Sequence, residues 1–218
     1  MRQKLSMAAA LLALLAASAT AQALTIGGLV NTGANLANNA VDTNYQLSAL
    51  TANSVVGPYG YVADHTGWPD GGPWIATGND SRWITPGADE AASFSTGTYQ
   101  WRLNFDLTGF DAATAEFIGR VSADDYAQVF LNGNLLASTP NVSYTGWTAF
   151  AANLGFLSGI NTLDFIVSNH GGGPTGLRVE FLSSNVEALP PAPVPEPGTL
   201  ALAGLALAGL AMRRRKSA

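Results

Sequence analysis

The 218 residues contain no cysteine, and their charge is unevenly placed: six of ten Lys and Arg fall in the first four or last six positions, leaving four cations against fifteen anions between them. A middle this acidic offers no electrostatic footprint for phosphate backbones, so nucleic acid is excluded as an expected partner. The lack of cysteine excludes disulfides and thiolate catalysis but not export, because a domain of about 165 residues can bury a core without bridges.

The chain opens with Arg2 and Lys4, continues through an apolar run from Leu11 to Ala17, and then passes small residues from Ser18 to Ala23. This order predicts a signal peptide over residues 1–23. Its cleavage residues are expected at Ala21 and Ala23, because Ala19 with Ala21 and Ala21 with Ala23 both satisfy the small-x-small rule. The apolar stretch is short for a lasting membrane span. The folded domain is then expected over 24–189. Its first part, Leu24 to about Pro73, is weakly patterned and should supply an edge strand and long loops.

Period-two alternation dominates the rest of the domain. Tyr99, Trp101, Leu103, Phe105 and Leu107 alternate with Gln100, Arg102, Asn104 and Asp106. Asp111–Ala115 reads as one short helical turn. Phe117, Val121 and Ala123 then share a face opposite Glu116, Arg120 and Ser122. Ala127, Val129 and Leu131 form a strand that runs into Asn132-Gly133-Asn134, a hairpin signal because Asn and Gly accept positive φ. Leu163, Phe165 and Val167 repeat the alternation, as do Leu177, Val179 and Phe181 around Arg178 and Glu180. Strands with one buried and one wet face, separated by Gly and Asn turns, predict an all-β fold: an antiparallel β-sandwich or jelly roll.

The segments Asn31-Thr32-Gly33, Asp42-x-Asn44-Tyr45, Ser81-Arg82-Trp83-Ile84, Ala123-Asp124-Asp125-Tyr126-Ala127-Gln128-Val129-Phe130-Leu131-Asn132-Gly133 and Gly159–Phe165 resemble the galactose-binding-like jelly-roll domains. These residues are mostly strand and turn positions, so the resemblance speaks to fold more than ligand. In that superfamily many members bind sugars and some hold a structural Ca2+; neither property follows from fold alone.

Candidate chemistry is sparse. His170-Gly171-Gly172-Gly173 matches an oxyanion-hole string, but the chain lacks the Gly-x-Ser-x-Gly elbow that string serves, so a polar hairpin loop is expected there. No catalytic residue is assigned, and the protein is read as non-enzymatic. Zinc is disfavoured with no Cys and only His65 and His170. Calcium is the metal the composition favours, with Asp124 and Asp125 as metal candidates and Asp64, Asp70, Asp80 and Asp89 as further loop oxygens. Carbohydrate contact calls for exposed aromatics. Trp68 and Trp74, flanking Pro69–Pro73, are the choices, with Tyr126 beside them, whereas Trp83, Trp101 and Trp147 are expected in the core.

The chain ends on a Pro-rich linker, then Val194-Pro195-Glu196-Pro197, an apolar run from Thr199 to Met212, and a basic stop of Arg213, Arg214, Arg215 and Lys216. Residues 190–218 thus read as a tail with a short hydrophobic helix whose basic end stays cytoplasmic. This order resembles the PEP-CTERM sorting signal, which implies that the helix is a transient inner-membrane anchor. The resemblance implies a membrane protease of the exosortase type as partner, cleavage near Pro195-Glu196-Pro197, and a final place at the cell surface or in the extracellular matrix, in company with exopolysaccharide and biofilm. The reading is an exported, non-catalytic adhesive or polysaccharide-binding module. The alternatives are a secreted carbohydrate-active hydrolase and a purely structural matrix protein.

Overall fold

The structure, a computed structural model, describes residues 23–63 and 67–190. The signal segment through residue 22, the residues Asp64 and His65, and the sorting tail lie outside the described residues. Within the described residues eleven strands form: β1 (Ala23–Leu24), β2 (Val41–Ala49), β3 (Tyr59–Val62), β4 (Ile84–Thr85), β5 (Gly97–Asp106), β6 (Phe110–Asp124), β7 (Tyr126–Leu131), β8 (Asn134–Ser138), β9 (Thr148–Ala152), β10 (Ile160–Asn169) and β11 (Gly176–Ala188). They hydrogen-bond in the order β8-β7-β10-β5-β2-β3-β4-β11-β6-β9, with β1 beside β11, and every pairing of these strands is antiparallel. No helix occurs among the described residues.

This ribbon turns over at the short β3 and β4, so its two halves face each other as a sandwich. Tyr45, Trp101, Phe165 and Val129 from one half share a core with Phe117, Val121, Phe150 and Val179 from the other. The rings of Phe150 and Phe165 meet across the layers at 5.8 Å and 77°, the edge-to-face geometry that aromatic quadrupoles favour. The alternation read from β5, β7 and β10 decides which side chains enter: Tyr99, Trp101, Leu103 and Phe105 are buried, and so are Leu163, Phe165 and Val167. Asn132 and Gly133 both take positive φ, 49° and 82°, and join β7 to β8 as the expected tight hairpin.

Four expectations are corrected. Asp111–Ala115 is not a helical turn. It lies in β6, where pairing with the 13-residue β11, including Asp111 opposite Glu187, overrides the local helical preference of an Ala-rich segment. The stretch 24–73 supplies more than an edge, because β2 sits inside the sheet between β5 and β3. The loop at His170–Gly173 is not a hairpin: β10 pairs with β5 and β7, β11 pairs with β4 and β6, and the loop crosses from one layer to the other.

The fourth correction concerns β11. The alternation predicts a wet face for Arg178 and Glu180, yet both are buried. Loops 67–83 and 139–147 cover that face and carry a second small core of Ala63, Trp74 and Trp83, with Ile75 and Tyr144 packed against it. Beneath them, Arg178 Nε donates to Ser81 Oγ (2.7 Å) and Nη1 to the carbonyl of Ala76 (2.5 Å). Ser81 Oγ donates to Glu180 Oε1 (2.6 Å), and Arg120 Nε to Glu180 Oε2 (2.7 Å). Trp147, expected in the core, is instead half-buried on this outer face, with the guanidinium groups of Arg120 and Arg178 over its ring at 4.4 and 4.9 Å.

Candidate functional site

At one end of the sandwich the chain passes between the layers twice. β6 hands over to β7 at Asp125, and β10 hands over to β11 through residues 170–175. The crossings are tied together: the Asp125 N–H donates to the Ser168 carbonyl (3.1 Å), and the His170 N–H donates to Asp125 Oδ2 (2.7 Å). Ser143 fixes the junction from loop 139–147, donating its N–H and its hydroxyl to the Asp125 carbonyl at 2.9 and 3.1 Å. Thr175 Oγ1 donates to the Asp124 carbonyl (2.6 Å). The Asp124–Asp125 peptide is cis.

Asp124 is 9% exposed, and its Oδ2 accepts the Trp74 indole N–H at 2.7 Å. Burial, first, and then a hydrogen bond and the charge of Asp125 push its carboxyl up to about 7, against the smaller opposing pull of Trp74. Among the described residues no arginine or lysine forms an ion pair with Asp124 or Asp125.

The candidate residues sort unevenly around this end. Asp124 and Asp125 come together with Trp74, but Trp74 is 3% exposed and stacks on Trp83 at 4.4 Å, so the expected exposure of Trp74 is corrected. Its ring also fills the space over Gly176, where an added Cβ would lie 2.9 Å from it. Trp68 is 56% exposed on the same loop, as expected. Tyr126 is half-buried at the start of β7, opposite Ser168. Asp70 is buried and closes its own loop, accepting from the Thr77 N–H (3.2 Å) and hydroxyl (2.5 Å). Asp89 likewise bonds its own turn at Ala91. Asp80 stays exposed, and among the described residues no group of three or more His, Cys, Asp or Glu gathers.

Sequence reasoning missed Asn169. It is 1% exposed and stands between the two residues that Asp125 bonds. Its Nδ2 donates to the carbonyls of Phe94 (3.1 Å), Ser95 (3.4 Å) and Gly173 (3.4 Å), while its Oδ1 has no partner among the described residues. Three surrounding carbonyls fix which amide atom is nitrogen. The signal available in the sequence is an Asn ending a strand, with Gly171–Gly173 close behind it. The larger clefts open elsewhere: about 380 Å3 beside Glu116, Ile118 and Asn153, and about 540 Å3 beside Asn31, Asn35 and Asp80, neither with an exposed aromatic platform.

The fold thus defines an all-β antiparallel sandwich. The tail defines the particular kind of protein further: residues 193–216 match the PEP-CTERM protein-sorting motif, which implies export and a membrane-associated sorting step by an exosortase. No curated protein matches the chain. Among solved structures the chain is similar to a family 35 carbohydrate-binding module from an environmental isolate, at 15% identity over 69% of this chain and 97% of that one, TM-score 0.30. It is similar to a family 29 carbohydrate-binding module complexed with mannohexaose at 8% identity, 77% and 92% coverage, TM-score 0.33. A family 35 module from Clostridium thermocellum gives 17% identity, 66% and 97% coverage, TM-score 0.29. Likenesses this distant carry no argument about ligand.

Proposed function

We propose that the protein is an exported module which, after exosortase processing at Pro195-Glu196-Pro197, contacts polysaccharide at the cell surface or in the extracellular matrix without cleaving it. The observation that carries the binding half is Trp68. A large aromatic lies 56% exposed on a loop whose neighbours are locked, by Asp70 to Thr77 and by Trp74 under Asp124. An indole held on a fixed loop beside polar groups suits stacking on a pyranose ring and gives orientation at low entropic cost. The carboxyl pair supports the non-hydrolytic half. Glycoside-cleaving acids flank the scissile bond about 5–5.5 or 6.5–9.5 Å apart, whereas Asp124 and Asp125 are consecutive residues whose carboxylates are tied to the Trp74 indole and the His170 N–H.

The test is retention of the purified protein on mannan, galactan and xylan columns. The protein should be retarded on at least one, Trp68→Ala should lose at least about tenfold in affinity, and no reducing sugar should appear. Sugar release by the wild type would replace this reading with hydrolysis. Intact mass from host cells with and without the processing protease should differ by the tail beyond the Pro-Glu-Pro junction.

A further inference from the structure

Both processing segments leave the sandwich at the same end. Ala23 and Leu24, which follow the signal segment, pair with Glu187 and Val186, close before the point where the tail begins. β11 starts at Gly176, opposite Asp124, and runs to Ala188, opposite Phe110. About 40 Å of strand therefore separates the end that carries Asp124 and the Trp68 loop from the end where the tail leaves. The tail end is knit together by its backbone. The Leu107 N–H donates to the Gly159 carbonyl (3.0 Å), the Phe110 N–H to the Leu107 carbonyl (2.9 Å), and the Leu189 N–H to the Gly109 carbonyl (3.0 Å).

Five large aliphatic side chains stand exposed around this end: Leu24, Leu154, Leu157, Ile160 and Leu189, with Leu154 at 76%. Loop 153–159 does not expose its leucines through looseness. Asn161 accepts the Leu157 N–H (2.7 Å) and donates to the carbonyls of Leu157 (2.9 Å) and Gly159 (2.8 Å), while Asn132 donates to the Gly155 carbonyl (2.9 Å). The same loop packs Phe156 against the core, edge-to-face with Phe105 and Phe117. A loop fixed in this way, which turns one apolar residue in and holds two out, presents an apolar rim of the kind that marks a docking surface.

We propose that this rim rests on the lipid surface of the inner membrane while the sorting tail is still attached, so that the domain meets its protease with the Trp68 end turned away from the bilayer. The proposal rests on the sorting half of the reading under Proposed function and not on its glycan half. Chain length supplies the partner. The apolar run starts at Thr199, ten positions after Leu189, and ten residues reach at most about 35 Å. The tether thus holds the domain to the bilayer by its rim end and raises the local concentration of lipid, so a shallow contact through a few aliphatic side chains suffices. Asp106, Asp111 and Glu187 stand at the same end, and their charge disfavours anionic headgroups. The contact is therefore apolar and weak, and it lapses when the tail is cut.

The lack of cysteine in the chain makes the test clean. Leu157→Cys and, separately, Leu154→Cys each carry one environment-sensitive dye. Val55→Cys is the control: Val55 is 99% exposed at the opposite end, next to Ser54, whose N–H donates to Ser95 Oγ. Full-length chain from host cells without the processing protease is reconstituted into phosphatidylcholine–phosphatidylethanolamine vesicles that contain a lipid with a nitroxide near its headgroup. Melting temperature checks that each variant is folded. The dye at positions 154 and 157 should be quenched at least about twofold, as for side chains set about 5–10 Å into the interface, and the dye at position 55 should not. Chain whose tail the protease has removed should show no quenching at any of the three. Adding Ile160→Gln to the labelled Leu157→Cys chain should reduce its quenching. Equal quenching, or none, at positions 157 and 55 in chain that floats with the vesicles would overturn the rim and leave the sorting reading standing. Stronger quenching after partial replacement by phosphatidylglycerol would overturn it too, since the contact would then be electrostatic. Failure of the tail-bearing chain to float would remove the tether, and both readings would fall together.

Discussion

Two buried acidic centres among the described residues are solved in opposite ways. Glu180, in the middle of β11, is enclosed by Arg178, Arg120 and Ser81, with Trp147 beneath the two guanidinium groups. The carboxylates of Asp124, which ends β6, and of the next residue, Asp125, accept from an indole and a backbone N–H. The first centre is closed: its one carboxylate is answered from within the chain by two guanidinium groups and a hydroxyl. The second is open, since among the described residues no arginine or lysine pairs with it. Burial alone therefore does not mark a functional group; a buried charge with no internal answer does.

Exchanging each acid for its amide is the sharpest way to break that contrast. Glu180→Ala leaves the buried Arg178 without its carboxylate and should cost about 3–5 kcal/mol in urea unfolding. Glu180→Gln should cost less but still weaken the fold, because two arginines lose their counter-charge. Asp125→Asn should be neutral or mildly stabilising, since it removes one of two adjacent acidic groups while its amide oxygen can still accept the His170 N–H. Equal losses in Glu180→Gln and Asp125→Asn would erase the distinction between the centres.

A second substitution sharpens the contrast by moving the wall between them. An added Cβ at Gly176 meets the Trp74 ring at 2.9 Å and the Ile84 carbonyl at 3.1 Å. Gly176→Ala should cost about 1–3 kcal/mol through overpacking, and it should change the tryptophan fluorescence by shifting Trp74 from Asp124. Asp164→Asn breaks the bidentate pair in which Arg102, 40% exposed, donates to the buried Asp164 at 2.6 and 2.9 Å, and should cost about 1–2 kcal/mol. The smallest effect on stability belongs to the surface. Trp68→Ala should leave stability within about 0.5 kcal/mol while removing polysaccharide retention. A collapse of the fold on Trp68→Ala would mean that its exposed ring is a packing element rather than a platform.

The strands that were legible share one property: their contacts follow period two. Tyr99–Phe105 and Leu163–Val167 announce a buried and an open face because a pleated strand alternates, and Asn132-Gly133 announces its turn because few residues accept positive φ at both positions. Arg178 and Glu180 defeated the same rule because the covering loops arrive from up to a hundred residues away: Ser81 stands 97 positions from Arg178 and 99 from Glu180. Asp111–Ala115 defeated it because a local Ala-rich preference gave way to a neighbouring strand.

The site divides along the same line. Asp124, Asp125 and the exposed Trp68 could be picked out by residue type and by their place in loops. The burial of Trp74 and the role of Asn169 could not, since Trp74 is 50 positions from Asp124, and Asn169 is defined by carbonyls up to 75 positions away.

The sequence by itself determined the sorting tail and the antiparallel alternation, because a sorting signal is read as linear chain and a strand's pattern is local. Tertiary structure alone decided which acids were answered from within. That depends on which distant loops close over each face, and chain separation carries no record of spatial neighbourhood until the sheets have stacked.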